Sequence, residues 1–582
     1  MSNKLPDLET QGRIAAALEE IAIQQAKANG GDATFTNSLV VALIDGTAAG
    51  FKRAMKAYMQ LHGLTDSSTA ADITTQVTAF YDLLQKSFSW DGYVTFADPA
   101  VSSASTGTKG GDNAGLTCVP STAEVAGQDD YAGLPLFACV DCNWVIDATG
   151  TYPVVQIAAI DGVVGSFKRY DPDTFVGVLQ MTGYHYYTNP HEQGNLQYIE
   201  GYRIGADASK PHCAPMPEAV LPDGTMRSWM VHGKYAAGLK DGKYTCCSGV
   251  VEAGQQSHNS SHTYAAAVGT GYAAMCSCDL GFLQLMVRIK YASLTLDNIL
   301  ALANNYYISA VAQVAETGVK RVIIPASQKG SFIVGSQVQV GNASSTDPQN
   351  SNTYAISGKE GWTITAIEDV TIGGTAYAAV YVDAPATFDT GAGNSDAALN
   401  TGLHTILWKT GTTDHVKGSD GAIECLSGKY PIKIQGVEFG LGAWEIPGDT
   451  IFKLYKDDGG SYWYEPYVCK TVSKLSTTIT SDYHSSGVRF NQAMPEGYIK
   501  AQNWGSDGVL LPAETGGSSS TYARDCVWHN KDTDKAEREW LSFGYLALGV
   551  PRGGLSFVAG DNGLGTSWWN NASRLSPNGS RG

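Results

Sequence analysis

The sequence predicts a multidomain protein, mostly β with some α, and three observations carry that reading. Glycine (66 residues) and tyrosine (30) are abundant while charged residues make up only 16% of the 582-residue chain, a balance that suits turn-rich β proteins better than metabolic enzymes. From Trp90 onward the chain breaks into short runs of β-type residues separated by Gly, Asp and Ser turns, as in Tyr93 to Phe96 and Val154 to Ile160. Before Trp90 it is Ala-rich, with apolar residues at helical spacing. A chain this long has room for several buried cores.

The elements follow in order. Ile14, Leu18 and Ile21 stand at i, i+4, i+7, and Ile73, Val77, Phe80 and Leu84 repeat that spacing after the capping-like Asp66-Ser67-Ser68. With the apolar stretch Leu39 to Met59 between them, residues 1–89 predict three helices that form an attachment or oligomerisation arm or, equally, an ordinary helical subdomain. No heptad repeat is sustained there. Residues 90–164 predict a β-rich domain. Residues 165–318 add aromatic, strand-like sequence and one helix, Asp279 to Ala303, apolar on nearly all sides and therefore buried.

Residues 319–417 predict an inserted small β-barrel or sandwich. RVIIP, SFIVGSQVQVG, GWTITAI and AYAAVYVD alternate in period two, which places Phe332, Val334, Val338, Val340, Trp362, Ile364, Val380 and Val382 inside. Residues 418–582 then resume the domain interrupted at 319.

Charge and motifs exclude several functions. The net charge of −17 comes with no Lys/Arg run, so no nucleic-acid partner is expected. No stretch reaches the length of a membrane-spanning helix, and MSNKLPDLETQGR carries no apolar signal region. The eleven cysteines are an odd number, which rules out complete disulfide pairing and suits thiols kept mostly reduced. His258 and His262, with Cys276 and Cys278 nearby, have a spacing conceivable for zinc. Their Ser- and Asn-rich surroundings read as loop and the paired C-x-x-C pattern is missing, so no metal or cofactor is expected. Cys139 and Cys142 form a lone C-x-x-C, read as two thiols. The paired acids Asp171/Asp173 and Asp457/Asp458 read as solvated turns rather than glycosidase acids. No G-x-S-x-G, H-E-x-x-H or P-loop is present, and no catalytic residue is assigned.

The last forty residues carry the strongest functional signal. Aromatic, Asn and Arg side chains sit there among glycines, the residue types of recognition loops. Trp568 and Trp569 are adjacent, so in an extended segment they face opposite ways and at least one is displayed. The segments GKYPIKIQGVEFGLGAWE (from Gly428), REWLSFGYLALG (from Arg538) and the ending WWNNASRLS resemble the C-terminal variable domain of proteins served by diversity-generating retroelements, many of them phage or prophage tail and virion proteins. Ala572 stands where that family's Gly-x-Arg-Leu-like ending has glycine.

The resemblance implies a C-type-lectin-like α+β domain, related to the formylglycine-generating-enzyme fold, whose variable face binds a host bacterial surface protein or glycan. It further implies a virion location after assembly in the cytoplasm, a homotrimer, and contact with other virion proteins through the N-terminal arm. The ligand-binding positions it implies are Tyr545, Leu548, Val550, Arg552, Phe557, Ala559, Asp561, Asn562, Leu564, Trp568 and Trp569. Gly544, Gly549, Gly553, Arg574 and Leu575 would be framework, and Ile432, Ile434, Val437, Phe439 and Trp444 read as core. The rival readings are a structural capsid or tail component and an enzyme of the formylglycine-generating or glycan-acting kind. The former enzyme uses a cysteine pair near the C-terminal part of its fold, whereas Cys526 is the only cysteine after Cys469.

Overall fold

The computed structural model describes residues 40–41, 44–188, 196–205, 214–301, 308–494, 496–529, 536–544 and 554–582. Mostly β, it holds several separate sheets.

Helices α1 (Ala48–Leu61) and α2 (Ala70–Ser87) come first. Each starts on a threonine cap: Gly50 N donates to Thr47 Oγ1 at 2.9 Å and Asp72 N to Thr69 Oγ1 at 3.2 Å. The predicted spacing puts Ile73, Val77, Phe80 and Leu84 on one fully buried face of α2. That face lies on an antiparallel sheet ordered Val154–Ile160, Cys139–Asp147, Phe175–Met181, Trp229–Gly233. Trp229 Nε1 donates to Thr78 Oγ1 at 2.9 Å, and Ile157 N donates to Thr74 Oγ1 at 2.8 Å. The two helices are therefore a layer of the main body, and the expectation of a separate arm is corrected for residues 48–87. An amphipathic face reports that it is covered, not by what. The helix expected around Ile14 to Ile21 lies outside the described residues.

The same sheet corrects the boundary expected at 164/165. Strands from either side of it pair directly, as in Asn143↔Val176 and Val140↔Leu179. Period-two alternation identifies a strand but not its partner.

Helix α3 (His258–Val268) follows, in a segment expected to be loop. Ser257 and Ser260 close a reciprocal capping box there, a signature hidden by the Ser-rich composition. Helix α4 (Ser277–Tyr291) runs through the centre, every residue from Ser277 to Lys290 being buried. It stops short of the predicted Ala303 because Ala292 turns left-handed at φ 48°. Its polar residues are paired rather than displayed. Gln284 accepts from Leu510 N at 2.7 Å and donates to Leu555 O at 2.9 Å, and Arg288 Nη2 donates to Gln502 Oε1 at 2.7 Å.

Residues 309–405 form a six-stranded antiparallel sheet ordered Ser309–Val311, Thr401–Thr405, Gln337–Asn342, Trp362–Ile372, Thr375–Val382, Arg321–Pro325. Its core is its own, containing Phe332, Val338, Val340, Ile364, Val380, Val382 and Leu403 with Trp362 packed against them. Val334 is the exception at 45% exposed. It sits in the turn before Gly335, where φ is 93°, so the alternation that placed it inside is broken there. The first strand also lies ahead of the expected start at Val319.

The C-terminal residues close the main body. Asn571–Ala572 pairs in parallel with Trp444–Glu445, and Leu575–Ser576 pairs antiparallel with Ala273–Ala274. Asn578 Nδ2 donates to Val231 O and to Asp279 Oδ1, both at 2.9 Å, tying the tail to the start of α4. Arg574 is 2% exposed; it forks onto Glu445 and donates to the carbonyls of Gly233 and Glu438 at 3.1 Å each. Arg581 is enclosed between Asp449 (2.6 Å) and Asp507.

Candidate ligand-binding site

The site is built on the strand Val558–Gly560, which lies parallel to Cys526–His529 with Trp528 opposite Ala559. Leu541 brackets it from the other side through two backbone hydrogen bonds with Ala559, at 2.9 and 3.0 Å. Alternation along the strand sends Val558 into the main core and leaves Phe557 and Ala559 on the opposite face. Over that face Trp444 stacks on Phe557, the ring centroids 6.0 Å apart and the planes 7° apart.

These residues line an open pocket of about 400 Å³, completed by Trp528, Leu541, Asp561, Asn562, Trp568 and Asn570. Asp561 is the only ionisable side chain among the described lining residues. Trp568 is 56% exposed at the rim, and Asn562 is half-buried. Aromatic faces, two amides and one carboxylate suit recognition by contact and hydrogen bonding.

Below the pocket, Glu539 holds three segments together. Its carboxyl accepts from His258 N at 2.9 Å and from Asn571 Nδ2 at 3.4 Å, and its own backbone N donates to Asn562 O at 3.1 Å. Burial pushes its pKa up to about 8, partly offset by the hydrogen bonds from His258 and Asn562. The turn at Gly544 has φ 110°, and a Cβ there would fall 2.5 Å from Ala443 O, so this framework position needs glycine.

Of the eleven expected binding residues, Tyr545, Leu548, Val550 and Arg552 lie outside the described residues, as do the framework positions Gly549 and Gly553. Phe557, Ala559, Asp561, Asn562 and Trp568 meet in the pocket. Phe557 (1% exposed) and Ala559 (4%) are not displayed, contrary to expectation; they are the pocket wall and pack with Ile446, Cys526 and Leu541. Leu564 (9%) is corrected to a buried position in another cluster, beside Ile451, Cys469 and Tyr483, because its carbonyl is held by Asn259 N at 3.0 Å. Trp569 turns away from Trp568 and lines a different pocket.

Trp444, Trp528, Leu541 and Asn570 were missed. Trp444 was read as core with its neighbours, yet it is only half-buried. Trp528 lies about fifteen residues upstream of the aromatic-rich ending, and the pairing with Ala559 brings it to the site.

His258 and His262 lie one helical turn apart on α3 with ring centroids 4.5 Å apart, but His262 Nε2 donates to Gly448 O. Among the described residues no group of three or more His, Cys, Asp or Glu is placed to hold a metal ion. The ten described cysteines are free thiols. Burial pushes the Cys139 thiol up to about 12 and raises that of Cys142 as well. Asp171 and Asp457 cap turns, accepting from Asp173 N (2.9 Å) and Ser461 N (2.8 Å).

No protein-family model and no curated protein matches the chain.

Proposed function

We propose that this chain is a receptor-binding protein of a phage virion, whose lectin-like C-terminal region presents a variable face to a bacterial surface protein or glycan. The observation that carries the reading is the pocket around Trp444, Phe557 and Trp568, aromatic in character and mounted on a framework of buried polar bonds. Supporting it, the three segments that resemble the retroelement-served family, far apart in sequence, converge there. Trp444–Glu445 pairs with Asn571–Ala572, Glu445 holds Arg574, and Ser542 N donates to Glu445 O at 2.9 Å. Contacts too weak singly become strong when several copies engage one surface, as in a trimer.

The test is binding of the fluorescently labelled full chain to a panel of intact bacterial strains, with Trp568→Ala as comparator. Truncating a central aromatic of a binding patch costs about 2 kcal/mol or more, so cell labelling should fall at least about thirtyfold. Undiminished labelling by Trp568→Ala, or labelling of no strain, counts against the reading. A near-copy of the coding sequence for residues 544–575, differing at adenines and lying beside a reverse-transcriptase gene, is the matching genomic observation.

A further inference from the structure

Arg288, on the central helix α4, is a buried cation without a counter-ion. It is 2% exposed and donates to neutral acceptors, Nη1 to Gln284 O at 3.0 Å and Nη2 to Gln502 Oε1 at 2.7 Å. Among the described residues no carboxylate pairs with it, and the acid that acts on it, Asp525, does so only at a distance. The Asp525 carboxyl accepts from Ser556 N at 2.9 Å instead, and burial holds it protonated up to about 8. Burial pushes the Arg288 guanidinium down to about 9, the direction expected of a cation whose charge nothing answers.

Arg288 is also one wall of a small cavity of about 20 Å³. The strand Gly497–Trp504 supplies Lys500, Ala501 and Gln502 to it, and Tyr522 and Ala523 close another side. We propose that this cavity is an anion site, and that it takes one halide-sized ion against Arg288.

Charge fixes the sign of the ligand. The charged side chains that line the cavity are Arg288 and Lys500, and no acid is among the described lining residues. Lys500 Nζ pairs with Glu514 at 3.0 Å, but that carboxylate is exposed and stands outside the lining. A buried cation is costly until an opposite charge meets it. The Arg288 side chain also keeps a donor in reserve. Its Nε donates to no described residue, and it is not sealed off as the unpartnered Nε of Arg524 is.

Volume fixes the size. About 20 Å³ holds one water-sized particle, so phosphate, sulfate and the carboxylate of a larger ligand are excluded. Water fits as well, but it brings no charge. Ala97 is exposed and Lys500 half-buried, which opens the cavity to solvent on that side. The ion would brace α4 against the segment that carries the aromatic pocket, because Gln284, whose carbonyl takes Arg288, also holds Leu555 O at 2.9 Å.

The inference does not depend on the virion reading. Its test is the melting temperature of the full chain in sodium chloride and sodium bromide against sodium gluconate, an anion too large for the cavity, at matched ionic strength. The halides should raise it along a saturating curve that gluconate does not reproduce. Arg288→Leu removes the charge and should abolish the difference. Lys500→Glu, at the solvent side of the cavity, should raise the halide concentration needed for half the effect by about tenfold or more; it leaves the core untouched and decides should Arg288→Leu fail to fold. Diffraction at the bromine edge from crystals grown in bromide should place an anomalous peak beside Arg288. Equal melting temperatures in halide and gluconate, a halide effect that Arg288→Leu leaves in place or Lys500→Glu leaves unshifted, or a cavity without an anomalous peak overturns the proposal.

Discussion

Replacing Arg574 by methionine tests whether the C-terminal region is a scaffold separable from the surface it carries. The side chain is 2% exposed and spends its donors on both oxygens of Glu445 and on the Gly233 and Glu438 carbonyls. Methionine fills much of the volume but leaves Glu445, itself 2% exposed, as a buried carboxylate without its cation. Breaking a buried pair from one side costs about 3–5 kcal/mol, a large share of the roughly 5–15 kcal/mol that holds a typical protein folded. Urea unfolding followed by near-UV circular dichroism and by tryptophan fluorescence reads the loss, and coincidence of the two curves checks that one transition is being measured. The double variant Arg574→Met/Glu445→Leu removes the stranded charge and should recover most of the loss. Trp568→Ala, at an exposed rim position, should change stability by under about 0.5 kcal/mol. A loss below about 1 kcal/mol for Arg574→Met, or a double variant no better than the single, would refute the assignment of Arg574 as the tie beneath the site.

Arg581→Met strands two carboxylates, Asp449 and Asp507, both 2% exposed or less, and should cost at least as much, about 3–5 kcal/mol, measured by the yield of soluble chain and its melting temperature. Glu539 is protonated in the folded protein up to pH about 8 but ionises near 4.5 when unfolded. The stability linked to its proton is therefore full below about 4.5 and is lost as pH rises through about 8. Glu539→Gln should flatten the decline in melting temperature between about pH 5 and 9, and an unchanged profile contradicts the shift. Deleting residues 48–87 uncovers Ile157 and Trp229, so the remainder should be insoluble; recovery of a remainder with native near-UV dichroism would contradict the layer assignment.

Local pattern was legible in the sequence, and long-range pairing was not. The apolar spacing of Ile73, Val77, Phe80 and Leu84 located a buried helical face because helix geometry alone fixes that relation. Which surface the face covers depends on Trp229 and Ile157, whose pairing has no local signature. The two tryptophans show the same division. Alternation in an extended segment predicts opposite directions; the structure places Trp568 and Trp569 in different cavities, but at a turn closed by Asn571 N on Trp568 O. That Trp444 and Trp528 share the first of these could not be read, since both arrive through strand pairs with residues many positions away. Arg574, expected as framework, donates to the carbonyls of Gly233 and Glu438, both on strands brought together only by the fold. Its carboxylate partner, Glu445, had been passed over within a stretch read as apolar scaffold.

The strand pairs made by the C-terminal residues impose an order on synthesis. Ala273–Ala274 pairs with Leu575–Ser576, and ribosomes add about 5–20 residues per second. The roughly 300 residues between the two strands therefore take about 15–60 s to emerge. In the later part of that interval Glu445, Asp449 and Asp507 wait without their arginines, and the body stays open along the edge where the aromatic pocket forms. A chain cut before Leu575 lacks the partner strand of Ala273–Ala274 and the arginine between Asp449 and Asp507, so truncation should open the body itself and not only alter the pocket. One short segment, residues 568–581, thus supplies both the rim of the aromatic pocket and the closure of the body, so the two are gained and lost together.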